Sequence, residues 1–191
     1  MKKAIVDIDG VLNYYPDTWL QFLKDNYCYT FVSLSEAKSN LSYKDYKKMK
    51  EEYRCSDYKN KAKPREGAKK VLDYLHQNGY LIYIVTARPL FKYNLLEKTI
   101  KWLRENELYY DYIYCSQKKD FTIFEKFGHV DVVIDDNCDN INQIKSINGE
   151  DCLYINIENV DNADKVCEGF RTREMRLVLN KLVQKDQGSR K

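Results

Sequence analysis

Hydrophobic residues are distributed along this chain in two rhythms. Short, nearly unbroken apolar runs occupy 4–6, 80–85, 130–134 and 152–157. Their length suits strands buried on both faces. A further short run at 112–115 predicts another strand. Between the runs, apolar residues recur every three or four positions, the spacing of one helix face. Ala68, Val71, Leu72 and Leu75 form such a face, with Pro64 as its opener and Gly79 just past its end. Leu96, Ile100 and Leu103 form a second, and Met175, Val178, Leu179 and Leu182 a C-terminal one. Helices are also expected behind Asp120 and over 140–147. Strands alternating with helices predict an α/β chain: a Rossmann-like parallel sheet of about five strands, flanked by helices.

One stretch breaks the alternation. Residues 13–63 follow the first strand but do not read as a single crossover helix. They divide into a helix capped by Asp17 and carrying Trp19, Leu20, Phe22 and Leu23, a short piece after Ser35, and a third over 42–54. The predicted organisation is a core of residues 1–12 and 64–191 with a small helical insert, 13–63, over the end of the first strand.

Composition narrows the picture. The chain has 191 residues, 43% of them hydrophobic and 32% charged, as in a globular protein. No apolar run approaches the ~20 residues that span a bilayer. Met1-Lys2-Lys3 leads straight into a strand rather than into a secretion signal, so a cytoplasmic location without membrane partners is expected. Six cysteines without a C-x-x-C pair argue against a zinc site or a disulfide framework. The formal charge of +3 admits anionic ligands without marking a dedicated nucleic-acid binder. The insert holds ten Lys/Arg against seven Asp/Glu, and eight of the seventeen tyrosines. Those rings either stack on a base or pack the insert's own core. Its lysines either attract an anionic substrate or form a solvated face.

Three of the predicted strands end in polar, reactive residues. Asp7 and Asp9 end the first, with Gly10 permitting a sharp turn; Thr86 and Arg88 end the second; Asp135 and Asp136 end the fourth. Each alone reads as turn chemistry. In a parallel sheet all three ends fall on one edge, where open α/β sheets place ligands. Two acids so close must be hydrated, protonated or neutralised by a cation. Carboxylates there serve as hard-metal ligands or as a nucleophile for phosphoryl groups.

Asp-Ile-Asp-Gly-Val-Leu, then Ile-Val-Thr-Ala-Arg, then a lysine, then Val-Val-Ile-Asp-Asp-Asn resembles the haloacid dehalogenase superfamily of phosphatases in order, type and spacing. The resemblance spans Lys3 to about Ile157, and the insert is similar to that family's helical cap. Within the superfamily, chain size and cap resemble the cytosolic 5'-deoxyribonucleotidase-like group. The resemblance implies a magnesium-dependent phosphomonoesterase. Asp7 would be the nucleophile, forming an aspartyl-phosphate, and Asp9 the acid and then the base. Thr86 would bind a phosphoryl oxygen, and Lys119, in preference to its neighbour Lys118, would neutralise phosphate and nucleophile. Asp135, Asp136, Asp7 and the carbonyl of Asp9 would hold Mg2+. Arg88 would either reach a substrate phosphate or sit at the surface. The expected partner is a small phosphorylated metabolite, a nucleoside or deoxynucleoside monophosphate first, with no stable nucleic-acid complex. A polynucleotide 3'-phosphatase, a sugar phosphatase and a phosphate-binding regulator are the competing readings.

Overall fold

Six parallel strands form one sheet, ordered β3-β2-β1-β4-β5-β6, in the computed structural model of the chain. Residues 1–89, 92, 94–116 and 118–188 are described in it. β1 (Lys2–Val6) is central, flanked by β2 (Tyr80–Thr86) and β4 (Val132–Asp135). β3 (Tyr112–Cys115) lies beyond β2, and β5 (Leu153–Ile157) and β6 (Phe170–Thr172) lie beyond β4. The chain thus builds outward on one side of β1 and then crosses to the other. That reversal opens a crevice at the carboxyl ends of β1 and β4.

Both faces of the sheet are covered, which is why its strands are apolar runs and not alternations. α4 (Ala68–Gln77), α5 (Leu95–Glu105) and α8 (Met175–Gly188) pack on Val6, Ile82, Ile84 and Ile134. α7 (Cys138–Asn148) and a π-helical turn over Ile123–Phe127 pack on Ile5, Val85 and Val133. That turn continues the short α6 (Lys119–Thr122). The side chain of Asp120 lies outside the described residues, so its capping role is not described. Among the described residues no helix is long and apolar enough to cross a membrane.

Several sequence expectations need correction. The sheet has six strands, not about five. β6 is only Phe170-Arg171-Thr172, an edge strand with no apolar run to announce it. Its approach to β5 depends on Gly169, where a Cβ would lie 2.9 Å from the Tyr154 carbonyl oxygen. Pro64 does not open α4. It pairs with Asn13 in an isolated antiparallel bridge that ties the two ends of the insert together. Gly67, at φ +84°, precedes the helix instead. α5 buries Leu95, Thr99, Trp102 and Leu103 and leaves Ile100 exposed. Its orientation follows polar contacts that periodicity does not record: Trp102 Nε1 donates to the Ala62 carbonyl at 2.7 Å, and Thr99 accepts from Arg88 at 3.1 Å.

Residues between β1 and α4 fold into α1 (Asp17–Tyr27), α2 (Leu34–Asn40), α3 (Tyr43–Cys55) and a 3-10 turn over Tyr58–Lys61. Asp17 does not cap α1, where Pro16 holds the cap position without a side-chain bond. α2 begins at Leu34, so Ser35 lies inside it rather than before it; Ser33 caps α2, and Ser42 caps α3 through Asp45 N. Trp19, Phe22, Leu23, Ala37, Leu41, Met49 and Tyr53 form a separate buried cluster. Trp19 meets Phe22, Tyr46 and Tyr53 at ring distances of 5.7, 5.8 and 5.2 Å. Truncating such a ring typically costs about 3–5 kcal/mol. Tyr15, Tyr27, Tyr46 and Tyr58 pack around the cluster, so much of the tyrosine surplus builds this second core.

Candidate active site

β1 delivers the first two carboxylates. The Asp7 amide still belongs to the sheet, donating to the Ile134 carbonyl at 3.0 Å. The chain then turns sharply: the Ile8 carbonyl accepts from Val11, Leu12 and Asn13. Asn13 locks the turn, its Oδ1 accepting from Gly10 N and Tyr15 N and its Nδ2 donating to Asp9 Oδ1. Gly10 has φ +87°, and a Cβ there would collide with the Asp136 carboxylate. Only glycine fits this position, for backbone and space alike.

Asp7, Asp135 and Asp136 converge, each offering a carboxylate oxygen within 4.8 Å of the others. Lys119 enters from α6, 3.0 Å from Asp7 Oδ2 and 2.8 Å from Asp135 Oδ2, with 3% of its surface exposed. Lys118 is exposed. Asp135 is oriented by the Asn137 amide at 2.8 Å and by Asn140 Nδ2 at 3.3 and 3.2 Å. Asp136 Oδ2 accepts from Asn159 Nδ2 at 3.2 Å, and its carbonyl accepts from Asn162 Nδ2.

One ammonium cannot balance three carboxylates. Burial pushes Asp7 up to about 6 although Lys119 opposes it, with Asp135 and Asp9 adding to the rise. Burial, then repulsion from Asp135 and Asp7, raises Asp136 well above the usual carboxylate range. Burial would lower Lys119, but Asp135 and Asp7 outweigh it and hold the ammonium protonated. Asp7 Oδ1 is buried and has no hydrogen-bond partner among the described residues. An unpaired carboxylate oxygen in a repelling cluster of hard oxygen donors fits a small divalent cation such as Mg2+.

Asp9 has a different environment. Burial would raise it, but the Arg88 guanidinium and the Lys59 ammonium prevail and hold it well below the usual range. Arg88 grips it with two nitrogens, Nε to Oδ2 at 2.9 Å and Nη2 to Oδ1 at 2.5 Å. Lys59 Nζ reaches Oδ2 at 2.9 Å from the 3-10 turn. Arg88 is buried rather than a surface residue, and in this structure Asp9 and Thr99 occupy its guanidinium. Thr86 is buried, its Oγ1 accepting from the Arg88 amide at 3.3 Å.

Asp7, Asp9, Thr86, Arg88, Lys119, Asp135 and Asp136 all line one cavity of about 290 Å³. Sequence reasoning missed the far wall, formed by Tyr15, Lys50, Arg54 and Lys59 of the insert. Lys44, Lys47 and Lys48 form a solvated face, so the basic segment is divided, residue by residue, between the cavity wall and solvent. It also missed the supporting amides. Asn159 and Asn162 follow β5, another polar strand end, and Asn13 carries the signature of a side-chain-locked turn.

A family model described as "5' nucleotidase, deoxy (Pyrimidine), cytosolic type C protein" matches residues 3–178. No curated protein sequence matches the chain. A predicted phosphatase from Clostridium acetobutylicum superposes with TM-score 0.67 at 15% identity, covering 96% of this chain and 98% of that one. A haloacid dehalogenase family hydrolase from Deinococcus radiodurans, solved with bound phosphate and sodium, gives 0.66 at 12% identity over 97% and 96%. A putative hydrolase of the superfamily from Bacillus subtilis, bound to magnesium, gives 0.62 at 14% identity over 95% and 98%. At these identities the likeness speaks for the fold.

Proposed function

This chain belongs to the cytosolic type C 5'-nucleotidase family, of the haloacid dehalogenase superfamily, and from that premise we propose that it is a magnesium-dependent phosphomonoesterase acting on nucleoside or deoxynucleoside monophosphates in the cytoplasm. The reading rests above all on Lys119 held between Asp7 and Asp135 while Asp7 Oδ1 lacks a partner among the described residues.

In this proposal Asp7 attacks phosphorus. A bond forms from its carboxylate oxygen to phosphorus as the bond to the leaving alcohol breaks. Asp9 gives the leaving oxygen its proton and then takes one from the water that hydrolyses the aspartyl-phosphate, releasing inorganic phosphate and restoring Asp7. Lys119 and Thr86 stabilise the transferring oxygens, because phosphoryl transfer depends mainly on positioning and charge neutralisation. Bound by Asp7, Asp135, Asp136 and the Asp9 carbonyl, Mg2+ would supply further charge neutralisation for the phosphate. Arg88 and Lys59 keep Asp9 ionised without substrate. An arriving phosphate competes with Asp9 for those cations, and the loosened Asp9 becomes able to carry a proton. Residues 13–63 act as the cap, closing the cavity over the substrate.

The cavity's volume suits a mononucleotide and not a long strand. The test compares kcat/KM for nucleoside monophosphates and 3'-phosphorylated oligonucleotides across ionic strengths, with magnesium and with chelator. Turnover is expected to require magnesium, favour the monophosphates and vary little with salt. Preference for the oligonucleotide with a steep salt slope, the mark of many phosphate contacts, overturns the nucleotidase reading. Turnover of sugar phosphates alone keeps the chemistry and rejects the substrate class.

A further inference from the structure

Asp7, Asp135 and Asp9 each pair with a cation, but not every cation lining the cavity pairs with an acid. Lys119 is shared by Asp7 and Asp135, and Arg88 and Lys59 share Asp9. Two cations on the insert wall remain. Lys50 donates to the Tyr15 hydroxyl and lies 4.4 Å from the Trp19 ring centroid and 5.2 Å from that of Tyr53, with no carboxylate within 4 Å among the described residues. The Arg54 side chain makes no hydrogen bond or ion pair among the described residues.

The helix itself offers no reason for this pair. Lys50 and Arg54 stand four residues apart on α3, so they are neighbours of like charge. Such a pair disfavours a helix. Met49 and Tyr53, beside them on the same helix, are buried in the insert's own core, which fixes the orientation of α3. That packing carries Lys50 and Arg54 to the cavity wall, where Lys59 adds a third positive charge. Burial, with repulsion from Lys59, holds the Lys50 amine well below its usual range. A cation withdrawn from water beside other cations is unfavourable until an anion joins it.

We propose that Lys50 and Arg54 form a second oxyanion subsite, so that the preferred substrate carries a phosphate or carboxylate in addition to the phosphate placed at Asp7. Arg54 supplies the planar fork that suits a two-oxygen grip, and Lys50 a point charge behind it. The inference rests on the proposed phosphomonoesterase reading and narrows its substrate class to small molecules with two anionic groups, a nucleoside bisphosphate being the nucleotide form. A simple nucleoside monophosphate then fills the reacting end and leaves the insert wall uncompensated.

The test is calorimetric titration with matched pairs in magnesium, on wild type, Arg54→Ala and Arg54→Lys. One pair is a nucleoside 5'-monophosphate and the 3',5'-bisphosphate of the same nucleoside. The other is glucose 6-phosphate and 6-phosphogluconate, which differ by a carboxylate. Asp7→Asn replaces wild type where turnover is too fast to titrate. The second anion is expected to tighten binding about tenfold or more in at least one pair. Arg54→Ala is expected to erase most of that gain, and Arg54→Lys to keep part of it. Which pair shows the gain tells phosphate from carboxylate. Equal affinities within both pairs, or an Arg54→Ala loss equal for both members of each pair, overturn the subsite. Turnover of the same ligands separates the two claims. A second-anion gain without hydrolysis of any phosphomonoester rejects the proposed function and keeps the subsite. Hydrolysis without the gain does the reverse.

Discussion

The two walls of the cavity were built by different means. The sheet wall carries Asp7, Asp9, Thr86, Asp135 and Lys119 at strand ends or just beyond them, and each carboxylate there meets a cation or an oriented amide. The insert wall carries Lys50, Arg54 and Lys59 on α3 and a 3-10 turn, and two of the three lack an acidic partner among the described residues. Under the proposed function, the contrast separates chemistry from recognition. A strand buried on both faces fixes its end residues closely, as a nucleophile and its balancing charges require. The insert stands on its own aromatic core and reaches the sheet wall through a few polar contacts, chiefly Lys59 to Asp9 and Asp161 to the Leu34 and Ser35 amides at 3.1 and 2.8 Å. Of its three cations only Lys59 touches a carboxylate of the sheet wall.

Removing the proposed nucleophile from the sheet wall is the sharpest way to test that division. Asp7→Asn is expected to lower kcat by ~10⁴-fold or more, the scale for a group that acts as part of a unit. The fold should persist, as read by circular dichroism. Near-normal turnover would remove Asp7 from the centre of the mechanism and erase the contrast.

Lys119 comes next. Lys119→Ala is expected to cost ~10²-fold or more in kcat, as for the loss of one electrostatic stabiliser. Lys119→Arg should also be impaired, because a planar fork does not fill the place of a compact ammonium between two carboxylates. Lys118→Ala should change kcat little. The opposite ranking would transfer the role to Lys118.

The smallest expected effect is on stability and has a defined sign. Asp7 rises from an ordinary value of 3.8 to about 6 in the metal-free fold. Between those values the folded protein keeps a proton that the unfolded chain has released. Stability therefore falls as pH rises from about 4 to about 6, by at most about 3 kcal/mol from this group. Asp136 acts in the same direction. Asp9, held low, gives the opposite slope only below its ordinary value, where acid removes its stabilising pairs. Urea unfolding in chelator at pH 5 and pH 7 reads the difference, and Asp7→Asn should remove the Asp7 share. Magnesium should raise the midpoint more at pH 7 than at pH 5, since it competes with protons for the same oxygens. A magnesium effect independent of pH would contradict this electrostatic account of the sheet wall.

What the sequence by itself determined is the part of the molecule whose information is local. Apolar runs marked β1 to β5 because strands buried on both faces admit little else. Asp7-x-Asp9-Gly10, Thr86-x-Arg88 and Asp135-Asp136 marked the edge that lines the cavity because the carboxyl ends of parallel strands share one side. Lys119 was legible from its place beside the helix start. The tertiary structure decided the rest, since those features depend on residues far apart in the chain. β6 exists because Gly169 lets it approach Tyr154. α5 turns its Trp102 face inward because Ala62 and Arg88 offer polar partners there. Arg88 is occupied by Asp9 rather than open to solvent because folding buries them together, 79 positions apart in the chain. Among many similar lysines, Lys50 and Lys59 face the cavity while Lys44, Lys47 and Lys48 face water. Side-chain charge alone does not distinguish them. The packing of Trp19, Met49 and Tyr53 does, because it sets the rotation of α3 and with it which cations face the cavity.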